Sequence, residues 1–437
     1  MPSRYMFALR LCLLIAFCAC ARAQDSERAA LQSPRLAALL AEVDRHDANA
    51  IDAFWREIET VHSPLIEDLP GHPDEALFTF LWRADPDEDA INIRLGASFP
   101  TRTINDPFSR LGNTSVWFTS YLMPRNARLI YRLRAPQGMQ KSTLSRDRFT
   151  IEGIRYELFP DPLNPATFPR GSAPAEAQSV ATGPAAKENV YLQAKAGVPA
   201  GTVHKEEFDS AALQGKRTLT VYTPAGYAAH SPRLPLLLVF DAEAYLDQIA
   251  APTILDNLIA AGKIPPVIAV FVHSAGTRDT DLPPNDRFPA FIVDEVLPHL
   301  QQRYRLTADP RKTIACGSSL GGLAAAHLAY RHPQAFGQVI SQSGSYWWWR
   351  EYQTEPGPSA KAGWLIKQIA ESKKRPVRFY LEAGLWESAG MIYANRMLAS
   401  VLRGKGYAVD YHEFIGGHHY AYWQQTFPDA LIAVLGK

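Results

Sequence analysis

The chain has 437 residues, 47% of them apolar, and 45 Lys plus Arg stand against 44 Asp plus Glu. That length holds roughly two or three domains, each large enough to bury its own core. A formal charge of +1 with no long charged run excludes a basic nucleic-acid footprint and an acidic disordered chain.

In chain order, Arg4 and Arg10 come first, then an apolar run from Leu11 to Cys20, then Ala21-Arg22-Ala23. A basic start, an apolar stretch of about ten residues and a small-x-small triplet predict a secretory signal peptide over 1–23. The run falls short of the about 20 apolar residues of a membrane span, so no stable membrane insertion is expected after cleavage; an uncleaved N-terminal anchor is the alternative. Cleavage would remove Arg4, Arg10, Arg22 and three of the four cysteines, Cys12, Cys18 and Cys20. The mature chain would be mildly acidic, with 42 bases facing 44 acids, and Cys316 would have no partner for an intramolecular disulfide.

From Ser33 to His62 apolar residues recur every three or four positions (Leu36, Leu39, Leu40, Ile51, Phe54, Trp55, Ile58), the period of a helix. Pro64 breaks it. Short β-rich runs follow at 77–84, 91–97, 115–122 and 128–135, separated by polar turns. They predict a small all-β sandwich with a helical N-terminal arm over 24–170. A stretch rich in Ala, Ser, Pro and Gly reads as a linker over 171–197.

Over 198–437 strand candidates (217–224, 234–242, 265–273, 313–318, 338–343, 377–384, 408–414) are mostly separated by helical stretches (254–262, 291–304, 321–332, 363–372, 393–406). This alternation predicts an α/β domain whose mainly parallel sheet is covered on both faces. Its chemistry should lie at the carboxyl ends of the strands.

Cys316-Gly317-Ser318-Ser319-Leu320-Gly321-Gly322 stands between a strand and a helix. Gly317, Ser319 and Gly321 fit a Gly-x-Ser-x-Gly nucleophile elbow; Ser318 is a neighbour that lacks glycine at both flanking positions. A serine needs a base, and the acid and then the histidine follow it in chain order. Gly416-Gly417-His418-His419 follows the last strand, with His418 as the base and His419 as the alternative. Neighbouring histidines without a further ligand cluster give no metal site. Glu387, just past strand 377–384, would orient His418, with Glu382 inside the strand as a structural competitor. The oxyanion would meet the N–H of Leu320 and a second N–H from the loop 241–245, where Ala242 is the candidate.

These residues are similar to the enterochelin (enterobactin) esterases, hydrolases of ferric catecholate siderophores within the α/β-hydrolase fold. The resemblance rests on CGSSLGG (316–322), SQSGSYWWW (341–349), LEAGLWE (381–387), NRMLASVLRGKGY (395–407), GGHHYAYW (416–423) and the segment from Arg278 to Phe288. In the N-terminal part it rests on FWREIETVHSPLIE (54–67), FTFLWR (78–83), VWFTSYL (116–122) and DPLNP (161–165). It implies hydrolysis of a cyclic tri-serine catecholate through an acyl-enzyme, without a cofactor. An anionic, aromatic substrate calls for a cation and flat surfaces. Arg278, Trp347, Trp348 and Tyr245 are the candidates; for Arg278 an ion pair with Asp281 or Glu295 is the competing reading, and at least one of the tryptophans should be core. Two positions depart from the family pattern: Ala242 where glycine is common, and His419 where aspartate follows the catalytic histidine. The export signal makes the chain resemble a periplasmic variant. A secreted feruloyl or acetyl esterase and a non-catalytic siderophore-binding protein are the competing functions.

Overall fold

The computed structural model describes residues 33–85, 93–99, 102–104, 106–136, 148–151, 154–169, 177–349 and 363–436. The predicted signal peptide lies outside them. The described residues fall into two units whose main boundary is between Lys187 and Glu188.

The N-terminal unit is built from a four-stranded and a seven-stranded sheet. Strand Glu75–Arg83 of the first pairs antiparallel with Val116–Pro124, and Arg128–Pro136 runs in the second. Phe80 meets Tyr131 edge-on at 4.8 Å and Trp82 meets Phe159 at 5.9 Å, so aromatic side chains join the two faces. The helical pattern resolves into two helices, Pro34–Asp44 and Ala50–Val61, split where Asp44, Arg45, His46 and Asp47 offer nothing to bury. They are part of the core: Leu36, Leu39, Phe54, Trp55 and Ile58 cluster with Leu65, Leu81, Val116 and Phe118. The buried Asp161 accepts from Ser63 Oγ, Tyr131 Oη and Leu163 N, each at 2.8 to 2.9 Å. Burial pushes this carboxyl up, and those bonds oppose the shift.

The expected linker over 171–197 is corrected. Gln178–Thr182 is a strand paired with 128–131, because the small residues Ala177, Ser179 and Ala181 fit fully buried positions. Further on, Leu192 is buried in the second unit's core and Asn257 Nδ2 donates to the carbonyls of Tyr191 and Gln193.

The second unit holds an eight-stranded sheet, here β1 (Thr202–Ser210), β2 (Gly215–Thr223), β3 (Leu236–Phe240), β4 (Ile268–Val272), β5 (Thr313–Ser318), β6 (Gln338–Gln342), β7 (Arg378–Gly384) and β8 (Ala408–Phe414). The spatial order is β1-β2-β4-β3-β5-β6-β7-β8, with β1 and β2 antiparallel and the remaining strands mutually parallel. Every residue of β3 to β6 is buried, as a sheet covered on both faces requires. Successive side chains go to opposite faces. Leu236, Leu238 and Phe240 join Ile268, Val270, Ala315 and Val339 in one core; Leu237 and Val239 join Ala269, Phe271, Ile314, Cys316 and Ile340 in the other.

Helices α1 (Ala242–Asp247), α2 (Ala251–Ala260), α3 (Leu297–Arg303), α4 (Leu320–Arg331), α5 (Trp364–Glu371), α6 (Ala389–Gly404) and α7 (Tyr420–Leu435) connect and cover the strands. The edge strand β1 and the terminal α7 lie outside the expected elements. β1 carries Lys205, Glu206 and Glu207 with little apolar alternation, and α7 contains Pro428.

Cys316 is free and buried, and burial pushes its thiol up. A chain starting at Gln24 should therefore give no reaction with a disulfide reagent such as dithionitrobenzoate while native, and one equivalent once unfolded in guanidinium. Native reactivity would contradict this packing.

Candidate active site

Ser319 follows β5 and precedes α4 with φ 57° and ψ −122°, a left-handed conformation uncommon for any residue but glycine. The turn closes because Gly317 lacks a side chain: a Cβ there would lie 2.5 Å from the carbonyl carbon of Gly321. Ser319 N donates to the Gln342 carbonyl at 2.9 Å, tying the turn to β6.

The base and acid come from the exits of the adjacent strands β8 and β7. Pairing continues past the strand ends, with Leu385 N donating to Phe414 O and Trp386 N to Gly416 O, each at 2.8 Å. Gly384 permits this approach; a Cβ on it would stand 2.3 Å from Gly416 O. Glu387 and His418 are thereby delivered side by side. His418 Nε2 lies 2.9 Å from Ser319 Oγ, and Nδ1 lies 3.0 Å from Glu387 Oε2. The Glu387 side chain is 1% exposed against 36% for His418. Glu387 Oε1 accepts from Gly384 N at 3.0 Å and from Ser343 Oγ, which itself accepts from Trp423 Nε1 at 3.0 Å. The His418 ring stands edge-on to Trp423 at 4.9 Å. The structure thus brings Ser319, His418 and Glu387 into one hydrogen-bonded line. An arrangement of this kind can pass a proton from a hydroxyl to an imidazole held by a carboxylate.

β3 and β5 are paired with Val239 opposite Cys316, so the loop after Phe240 emerges beside the nucleophile turn. Leu320 and Ala242 each open a helix, and a first-turn N–H has no acceptor within its own helix. Asp241, also at positive φ, accepts from Arg278 Nε at 2.7 Å and Nη2 at 2.8 Å. That pairing differs from both expected ones: Asp281 is held by Arg217 and Thr277, and Glu295 accepts from Ala212 N. Arg278 is therefore bidentate on the buried carboxylate of Asp241, and the expected loop 241–245 is corrected to the N-cap and first residues of helix α1.

Two of the expected substrate contacts are corrected. Tyr245 is fully buried and donates to Gln342 Oε1 at 2.8 Å, so it braces α1 from within. Trp348 is in the core, edge-on to Trp364 at 6.0 Å. Trp347 is half-buried and packs against the same core. His419, standing where the family pattern has an aspartate, is the N-cap of α7, with Nδ1 accepting from Ala421 N at 3.1 Å. Ser343, Trp423 and Tyr420 were not singled out by chain order and spacing. Tyr420 opens α7 near Asp241 and Arg278; burial first, then the Asp241 charge, push its hydroxyl up to about 12. The sequence signal for Ser343 is its place immediately after β6.

Glu382 is structural in its contacts. It is 1% exposed, and Oε1 accepts from Gln342 Nε2 at 2.8 Å and from Thr426 Oγ1. Burial raises its carboxyl to about 7 from the ordinary 4.5. A carboxyl raised on folding favours the folded state at low pH, and that contribution is lost as pH rises through the folded-state value. The contribution of Glu382 should fall between pH about 4.5 and about 7, by up to about 3 kcal/mol. Glu382→Gln, whose amide oxygen can accept the same donors, should flatten that slope in urea unfolding across this range. An unchanged slope would place the titration elsewhere.

Comparison with known proteins agrees with this architecture. Residues 210–434, more than half of the chain, match the family described as "Putative esterase", and residues 77–191 match "Enterochelin esterase, N-terminal". An iron(III) enterobactin esterase of Dickeya dadantii is 27% identical over 405 residues, covering 85% of this chain and 90% of its own. An iron(III) salmochelin esterase of Escherichia coli is 28% identical over 409 residues, covering 88% and 94%. The enterobactin esterase of Shigella flexneri, crystallised in the presence of 2,3-dihydroxy-N-benzoyl-serine, has the same fold: TM-score 0.67 at 23% identity over 87% of this chain and 97% of that one. The chain belongs to this esterase family, with an enterochelin esterase N-terminal domain ahead of its α/β-hydrolase domain.

Proposed function

We propose that this protein is a serine esterase that hydrolyses the ester bonds of ferric catecholate siderophores of the tri-serine lactone type. The observation that carries the reading is the unbroken line from Ser319 Oγ through His418 to Glu387, at 2.9 and 3.0 Å, at the carboxyl ends of β5, β7 and β8. Its substrate class is supported by the names of the relatives, esterases of iron(III) enterobactin and salmochelin, which this chain matches over most of their length. Iron here is cargo of the substrate.

In the proposed reaction Ser319 Oγ attacks the ester carbonyl and its proton passes to His418 Nε2. Glu387 holds the Nδ1 proton and stabilises the imidazolium. The N–H groups of Leu320 and Ala242 receive the oxyanion, a contribution of about 3 kcal/mol for each donor. His418 then gives its proton to the departing serine hydroxyl, and Ser319 is left as an acyl ester. Water, deprotonated by His418, attacks that ester; Ser319 Oγ departs and takes the proton back. Arg278, bound to Asp241, contributes chiefly by fixing the loop that carries Ala242, and its remaining Nη1 faces Asp279 at 3.8 Å. Trp347 is the remaining candidate among the aromatic contacts. The basic and apolar start of the chain supports export to the periplasm. Among the described residues no helix is long and apolar enough to cross a membrane.

Incubation with ferric enterobactin, read by mass spectrometry, should yield linear trimer and then shorter dihydroxybenzoyl-serine units. Ser319→Ala and His418→Ala should each lower the rate by at least about a thousandfold. Turnover of methyl ferulate or a nitrophenyl ester with none of ferric enterobactin would overturn the substrate assignment.

A further inference from the structure

We propose that Ser345 is a further catalytic residue, whose hydroxyl donates to Ser319 Oγ and keeps the nucleophile's own proton directed at His418. The inference rests on the reading of Ser319 as nucleophile. Among the described residues Ser319 Oγ has two polar neighbours, His418 Nε2 at 2.9 Å and Ser345 Oγ at 3.3 Å. Ser345 is 1% exposed, and among the described residues its hydroxyl has Ser319 Oγ as its hydrogen-bond partner. A buried hydroxyl without a partner is costly, and alanine would fill nearly the same space, so packing alone gives no reason for serine here.

The direction of this bond follows from the protons available. The Glu387 carboxylate is an acceptor, so neutral His418 carries its proton on Nδ1 and presents a bare Nε2. Ser319 must donate to that nitrogen. A hydroxyl has one proton, so the proton shared between the two serines belongs to Ser345. The reverse arrangement, Ser319 donating to Ser345, would turn the reacting proton away from its base.

The loop around Ser345 is fixed from several sides. Ser345 N donates to the Ser319 carbonyl at 3.0 Å, and Ser345 O accepts from Trp348 N at 3.0 Å. Asn395 Nδ2 holds the Gly344 carbonyl at 2.9 Å from α6. The hydroxyl is thus positioned before substrate arrives. At rest 3.3 Å is long for an O–H···O bond; it should shorten as negative charge gathers on Ser319 Oγ. During attack the Ser319 proton goes to His418 Nε2 while the Ser345 proton remains on Ser345, stabilising the developing alkoxide character. In deacylation the same donor assists Ser319 Oγ as it leaves the acyl carbon. Both half-reactions should therefore depend on it.

The test compares wild type, Ser345→Ala and Ser319→Ala by inactivation with a fluorophosphonate, by steady-state hydrolysis of a nitrophenyl ester, and by thermal unfolding. Ser345→Ala should react with the fluorophosphonate about tenfold more slowly and show kcat about tenfold lower, with KM and Tm close to wild type. Ser345→Cys, which keeps the shape with a weaker donor, should fall between and serves if the alanine variant is unstable. Inactivation of Ser345→Ala or Ser345→Cys at the wild-type rate, or a rise in KM with kcat unchanged, would overturn the role of Ser345. Full activity in Ser319→Ala would overturn the nucleophile assignment instead, and this inference with it.

Discussion

His418 can serve Ser319 because two loops leave the sheet in contact, and that contact depends on the backbone of Gly384 lying against Gly416 O. The bond from Trp386 N to Gly416 O continues the β7–β8 pairing beyond the strands and sets the spacing of the two loops. Glu387 then reaches Nδ1 and Nε2 is left facing the nucleophile. A side chain at position 384 would push these loops apart, and the three functional groups would no longer meet. The strain held at Ser319 is useful on the same condition, since an exposed nucleophile without a base beside it is an ordinary alcohol.

Around this contact lies a shell of buried hydrogen bonds. Trp423 donates to Ser343, which donates to Glu387. Gln342 joins Tyr245 on one side to Glu382, Thr426 and the Trp423 carbonyl on the other. Such networks are worth having only when their members are satisfied, and these hold α1, β6, β7 and α7 in one arrangement. Arg278 does similar work at the start of α1 by neutralising the buried Asp241.

The proposed catalytic line is legible because its logic is local. Gly-x-Ser-x-Gly marks a strand-to-helix turn, and chain order narrows the acid and the base to loops after later strands. Apolar runs likewise mark β3 to β7, which are buried apart from Arg378 at the start of β7. β1 escaped because an edge strand facing solvent carries charge in place of alternation. The strand at 178–182 escaped because alanine and serine, the residues of a flexible linker, also fill tight buried positions beside a neighbouring strand. Tyr245 and Trp348 are flat surfaces beside the exits of β3 and β6, but both rings turn inward, and one sequence does not tell which side of a segment a ring takes. The bond between Arg278 and Asp241 joins residues 37 apart, and only the folded sheet brings them together.

In the proposed reaction, ester hydrolysis proceeds through Ser319 within this constellation. Peptide mapping after titration with a fluorophosphonate, with ferric enterobactin hydrolysis measured on the same samples, tests it most directly. The account predicts one label per chain, on Ser319, with hydrolysis lost in proportion to labelling. Labelling of another residue, or full hydrolysis by completely labelled protein, would contradict it.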